Sequence, residues 1–86
     1  MNVRFEVDFI SMLPVARQWV IDGRVRNGVI LQGSELIVEE LDETVKVENI
    51  ALVNVAEHDK GRLTIAIAEP RFDFYLIVKG MTLRSW

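Results

Sequence analysis

The sequence has few of the residues on which protein chemistry most often depends. Its 86 residues include no cysteine, one histidine and only two prolines. Without cysteine the chain has no disulfide framework, no thiolate metal site and no thiol nucleophile, and such a composition favours a reducing compartment. We therefore expect a cytoplasmic protein.

Long apolar runs and an excess of positive charge are also missing. Residues 1–6 alternate apolar with polar or charged side chains, unlike a signal peptide, and no stretch approaches the length of a membrane span. Thirteen acidic against ten basic residues give a net charge of −3. Domains that bind nucleic acids mainly through phosphates are usually basic, so autonomous, tight binding of RNA or DNA is disfavoured.

What the sequence has instead is an apolar content of 50%, arranged mostly with a period of two. Apolar side chains occupy every second position from residue 3 to residue 9, which predicts a strand with one buried face. The alternation slips at Ile10 and Met12, before Pro14, and this predicts a bulge or a strand end there.

Three glycines, Gly23, Gly28 and Gly33, follow at five-residue spacing within the densest run of β-branched residues. Glycine permits the positive φ of tight turns, whereas β-branched residues favour strands. The run predicts a long strand over residues 15–26 with a bend at Gly23. The run then predicts a short strand over residues 28–32. After a turn at Gly33 it predicts a further strand over residues 35–39.

The second half of the chain continues in the same way. An acidic turn over residues 39–43 leads to a strand over residues 45–55 whose phase shifts near Asn49. A turn at residues 58–61, a strand over residues 63–67 ended by Pro70, and a closing strand from residue 81 follow. Residues 72–78 fit either a strand or a short helical turn that covers the mouth of a barrel, because periodicity cannot decide so short an apolar run.

These elements predict an all-β protein with one domain over residues 1–86. Short strands with turns every eight to twelve residues are typical of a sandwich or a barrel, and closure removes exposed edges. We expect a small closed or nearly closed antiparallel β-barrel of six to eight strands.

Parts of this pattern resemble the second domain of translational GTPases, the β-barrel of the elongation factor Tu and initiation factor type. The similar residues are Gly23-Arg24-Val25, Gly28, Gly33 and Glu35-Leu36-Ile37-Val38, with further similarity at Asp59-Lys60-Gly61 and at the turn and strand from Lys79 to Leu83. The resemblance implies a barrel that makes contacts, because in intact factors this domain packs on the GTPase domain and touches ribosomal RNA or aminoacyl-tRNA. The chain has no phosphate-binding loop, so the resemblance does not extend to nucleotide hydrolysis.

No candidate group for catalysis stands in a convincing context. His58 lies in a predicted exposed turn and is interpreted as a solvated residue, since a base or metal ligand needs partners from other strands. The acidic turn lacks the alternating spacing and the central glycine of a calcium loop. We expect no catalytic residue, metal or cofactor, and no cluster of residues indicates a small-molecule substrate.

One set of residues is a candidate interaction surface. Arg17, Trp19, Arg24 and Arg26 lie on one predicted strand, and basic residues with an interleaved aromatic side chain can bind polynucleotides by phosphate pairing and base stacking. An ordinary solvent-exposed face has the same composition. Whether the two pairs of residues share a face depends on a bulge near Gly23.

Three functions from different classes follow. The first is a noncatalytic interaction module that binds a protein partner or assembles with itself, which the apolar content and the acidic balance favour. The alternative is an RNA- or ribosome-associated accessory protein that uses the arginine-bearing strand. An enzyme or small-molecule binder would need a deep pocket that joins His58 to two carboxylates.

Overall fold

Six antiparallel strands form a closed ring in the computed structural model, which describes residues 2–51 and 61–85. The strands are Arg4–Leu13 (β1), Gln18–Asn27 (β2), Glu35–Val38 (β3), Glu43–Ala51 (β4), Arg62–Ile67 (β5) and Thr82–Arg84 (β6). Their hydrogen-bonded order is β1-β2-β5-β4-β3-β6, and β6 pairs again with β1. The predicted all-β class and antiparallel closure are confirmed. Within the described residues no helix has the length and apolar character needed to cross a membrane.

Apolar side chains fill the inside of the ring. Phe5 and Val7 of β1, Ile21 of β2 and Ile65 of β5 are fully buried, and they belong to one contiguous cluster. The other buried members are Val3, Ile30, Leu36, Val38, Val45, Val47, Leu63, Ile67, Phe74, Ile77 and Leu83. Because these side chains occupy the interior, the ring offers its outer face and its strand edges for binding.

A β-bulge at Asp8 changes the face of every later residue in β1. Val7 pairs with Gly23 and Phe9 pairs with Asp22, so Asp8 has no counterpart on β2. An extra residue shifts the side-chain alternation by one position. Phe9 is therefore exposed, whereas Ile10 packs against the core. The prediction that Phe9 shares the buried face was wrong, and the bulge lies earlier than the predicted slip before Pro14.

The neighbouring strand β2 begins later than predicted. Residues 14–17 form the turn between β1 and β2, in which Arg17 has a φ of 51°. Gly23 lies inside β2, where a Cβ atom would overlap the carbonyl oxygen of Glu6 and stand 2.8 Å from the ring of Phe5. This glycine therefore permits close packing within the sheet and does not form a turn.

The predicted short strand over residues 28–32 was wrong. Gly28 has a φ of 75°, which turns the chain out of β2, and the Ser34 N–H donates to the Leu31 carbonyl at 3.1 Å. Residues 29–31 thus form a connection in which only Ile30 is buried. The turn at Gly33, with a φ of 88°, is confirmed.

Two other predictions concern β4 and the chain after β5. The phase shift near Asn49 is confirmed, because the register of β4 against β5 shifts between Val47 and Asn49. For residues 72–78 the structure shows the helical alternative, as a 3-10 helix over Phe74–Leu76. The carboxylate of Asp73 accepts a hydrogen bond from the Tyr75 N–H at 3.0 Å and caps this helix, while Phe74 enters the core.

Candidate interaction surface

The structure separates the predicted surface residues onto different sides of the sheet. Trp19 packs against the core cluster at one end of β2. Arg24 and Arg26 alternate with the inward-facing Val25 and therefore lie on the outer face. Strand β2 pairs with β5 without interruption from Trp19 to Arg24, so no bulge at Gly23 brings Trp19 to the face of the two arginines.

Arg17 lies apart from the other three predicted residues. It belongs to the exposed turn at residues 14–17, and its guanidinium approaches the Glu69 carboxylate at 3.7 Å. Both side chains are mostly exposed, so this ion pair contributes little to stability.

Around Arg24 the outer face carries several charges of both signs. In the backbone register of the sheet, Arg24 lies opposite Glu6 of β1 and opposite Arg62 of β5. The Arg26 guanidinium donates to Glu6 at 3.1 Å, and the Arg62 guanidinium donates to Asp22 at 3.0 Å. This charged cluster therefore combines three arginines with two carboxylates.

Asp22 is the one buried charged residue of the described chain. Its side chain is 9% exposed although its position in β2 alternates with the core residue Ile21. The Oδ2 atom accepts from Arg62, while Oδ1 has no hydrogen-bond partner in the described residues. Burial of a carboxylate is costly unless it is paired, so Arg62 stabilises this part of the sheet.

Toward the β1–β2 turn the outer face becomes apolar. Phe9 and Leu13 of β1 are 52% and 45% exposed, and Val15 in the turn is fully exposed. Next to Leu13 lies a shallow depression of about 320 Å³ across β2, β5 and β4. Its lining residues are Leu13, Gln18, Val20, Asn49, Ile50, Ala51, Thr64 and Ala66. We call Phe9, Leu13, Val20, Ala51 and Ala66 the outer apolar face.

A second depression of about 430 Å³ lies beside β3 and β4 and has a different character. Its charged lining residues are Glu35, Lys46, Glu69 and Arg71, so both signs are equally represented. This mixed lining does not select a ligand of one charge.

The acidic turn after β3 makes contacts within the protein. Glu39 lies 3.8 Å from Arg4 and 3.4 Å from Arg84, and Glu40 accepts a hydrogen bond from the Thr82 N–H at 2.9 Å. These carboxylates thus fix the junction of β3 and β6.

In the described part of the chain no three histidine, aspartate or glutamate residues are placed to hold a metal ion. His58, residues 59–60 of its predicted turn and Trp86 lie outside the described residues, whereas Gly61 is described and has a φ of 87°.

No family model, curated protein or solved structure matches this chain. The resemblance to the second domain of translational GTPases accordingly stays a prediction.

Neither the outer apolar face nor the burial of Asp22 was predicted from the sequence. A signal for the first was present, because residues 9–13 are free of charge and follow a strand whose alternation slips. Asp22 stands within a run of β-branched residues at an outward position, and the sequence does not say which outward positions become covered.

Proposed function

We propose that this protein is a noncatalytic interaction module that binds a protein partner, or a second copy of itself, through the outer apolar face. The observation that carries the proposal is the exposure of Phe9 and Leu13 on one strand beside the apolar depression. Contiguous exposed apolar patches mark interaction sites more often than scattered single residues do.

The packing of the molecule supports an outer binding surface. The interior of the ring is occupied by buried aliphatic and aromatic side chains. Phe9 and Leu13 remain about half exposed at the same time. Complete burial of a fully exposed side chain of this kind stabilises by about 1.5–3 kcal/mol, so covering the exposed halves of both would together contribute about that amount to docking.

The proposal includes a barrel similar to the second domain of translation factors. The closed antiparallel ring is compatible with that resemblance. Such a barrel acts through contacts, and this is the class of function that the exposed apolar residues favour.

The test is size-exclusion chromatography with light scattering, together with retention of proteins from a cell lysate. We expect the wild-type protein to form an assembly or to retain a protein, and Leu13→Lys to lose that interaction because a charge replaces an exposed apolar side chain. The matched control is Val29→Lys, since Val29 is 69% exposed in the connection after β2. A wild-type protein that is strictly monomeric and retains nothing would contradict the proposal.

The alternative function, an RNA- or ribosome-associated accessory protein, is favoured by one observation. Arg24, Arg26 and Arg62 lie close together on the outer face, at the end of β2 opposite the turn. Clustered arginines are the usual contacts to phosphates.

A further inference from the structure

Strand β1 is covered on one edge only in part. On one side β2 pairs with it along its whole length. On the other side β6 pairs with Arg4, Phe5 and Glu6, and residues 80–81 exchange backbone hydrogen bonds with Val7. Beyond that point residues 9–13 have no strand partner on this side among residues 2–51 and 61–85. We call residues 9–13 the open edge of β1.

Within residues 9–13 the open edge has no charged residue and no proline, and its two ends are marked by the bulge at Asp8 and by Pro14. Natural sheets blunt such edges with charged residues, proline or bulges. Residues 9–13 read Phe-Ile-Ser-Met-Leu and carry neither charge nor proline. The end of β4 is a second uncovered stretch of the described chain, because residues 49–51 extend beyond β3, but it is shorter and reads Asn-Ile-Ala. The edge of β1 is therefore the longer and more apolar of the two, and it is the better suited to pairing.

We infer that a second copy of this chain pairs with the open edge of β1 in antiparallel orientation, centred on Ser11. The inference rests on the proposed function and specifies that the binding partner is a second copy of the chain. When two identical strands pair in antiparallel orientation about a two-fold axis, each contact between them occurs twice. Phe9 then lies opposite Leu13 of the second copy, and Ile10 lies opposite Met12, so that apolar side chains meet on both faces of the sheet.

Charge complementarity favours a second copy over an unrelated strand. The pairing places Asp8, next to the open edge, beside the turn at residues 14–17 of the other copy. That turn carries Arg17, whose side chain is 77% exposed and lies 3.7 Å from the Glu69 carboxylate, so a second carboxylate can still approach its guanidinium. By symmetry the acidic and basic residues meet at both ends, whereas the two Arg17 side chains stay at opposite ends of the contact. Strands β4, β5, β2 and β1 of each copy would form one eight-stranded sheet with a continuous outer apolar face.

A cysteine scan tests the contact and its register. Because the natural chain has no cysteine, each introduced thiol is the only one in its chain. Directly opposite residues in an antiparallel pair have Cα atoms about 4.5–5.5 Å apart, which is within the range of a disulfide. We expect Ser11→Cys to form a covalent dimer under mild oxidation. Phe9→Cys alone should not, because the two copies of residue 9 would be about 13 Å apart along the strands.

A mixture of Phe9→Cys and Leu13→Cys should cross-link as a heterodimer, because these positions lie opposite each other. The control is Leu31→Cys, since Leu31 is 65% exposed, more than the partly buried Ser11, and is distant in sequence from the edge. Ser11→Cys should cross-link at least about tenfold faster than this control, because pairing holds its thiols at a high effective concentration.

Two results would overturn the inference. One is a Ser11→Cys protein that cross-links no faster than Leu31→Cys. The other is cross-linking of Phe9→Cys alone at the rate of Ser11→Cys, which would exclude a register centred on Ser11. If Ser11→Cys stays monomeric while Leu13→Lys still abolishes retention of a lysate protein, the interaction module stands and the pairing of two copies fails. If neither variant differs from its control, both proposals fail.

Discussion

At the scale of single residues, the ion pair of Asp22 and Arg62 joins two side chains that differ in solvent exposure. The Asp22 side chain is 9% exposed, whereas the Arg62 side chain is 26% exposed. Water can compensate the arginine if the pair is broken, but it reaches the carboxylate much less. Breaking a buried pair is costly mainly because of the charge that stays behind.

We therefore expect Arg62→Met to destabilise the protein more than Asp22→Asn. The first change leaves a buried carboxylate without its cation and should cost about 2–3 kcal/mol, whereas the second leaves a partly hydrated arginine and should cost about 1 kcal/mol. Urea denaturation followed by circular dichroism measures both. Arg26→Met is the control, because its partner Glu6 is well exposed and the expected loss is about 0.5 kcal/mol. A larger loss for Asp22→Asn than for Arg62→Met would contradict this account.

At the scale of elements, the bulge at Asp8 decides which half of β1 faces the core. Before it Phe5 is fully buried, and after it Phe9 is 52% exposed although both occupy odd positions. The extra residue lets the first part of β1 cover the ring interior and directs Phe9 to the outer apolar face. Phenylalanine is thus a core residue at position 5 and a surface residue at position 9.

This difference predicts unequal effects of one chemical change. Phe5→Ala should cost about 3–5 kcal/mol, because it leaves a cavity in the core. Phe9→Ala should change the free energy of unfolding of the monomer by less than about 1 kcal/mol, because its ring is already half in water. Thermal unfolding at low protein concentration measures both variants. Equal losses would show that Phe9 is buried and that β1 continues without a bulge.

How far the sequence predicts this fold can be judged from the same elements. The alternation at Val3, Phe5 and Val7 and the turns at Gly28 and Gly33 are local signals, and the structure agrees with them. The position of the bulge is not local, because it depends on how β1 fits against Gly23 of its neighbour. Residues 28–32 failed as a strand for a local reason, because the conformation of Gly28 takes them out of the sheet although their β-branched composition suits a strand.

The candidate site was less predictable than the fold. Arg24 and Arg26 were correctly placed on one face by the period of two, but the stacking partner Trp19 packs against the core. The outer apolar face joins residues from four strands, and their proximity follows from the ring order rather than from any local pattern. The open edge of β1 likewise exists because β6 is only three residues long and covers only the beginning of its neighbour.

At the scale of the whole molecule, acidic partners lie beside many of the basic side chains. Glu39 lies near Arg4 and Arg84, Glu69 near Arg17, Glu6 near Arg26, and Asp22 near Arg62. With a net charge of −3, the molecule as a whole repels a polyanion. Local attraction at the charged cluster around Arg24 would have to overcome both effects.

We therefore expect no measurable binding to a single-stranded RNA oligonucleotide, as followed by fluorescence anisotropy at 50 mM and at 150 mM salt. If Arg24, Arg26 and Arg62 did contact three phosphates, the logarithm of the affinity would fall with the logarithm of the salt concentration with a slope of about −2. Arg24→Ala would then weaken the binding and reduce the slope, whereas Arg71→Ala, an exposed arginine outside this cluster, would leave both unchanged. That combination of results would support the RNA-associated alternative, because only phosphate contacts made by Arg24 itself produce a salt dependence that this variant reduces and the control does not.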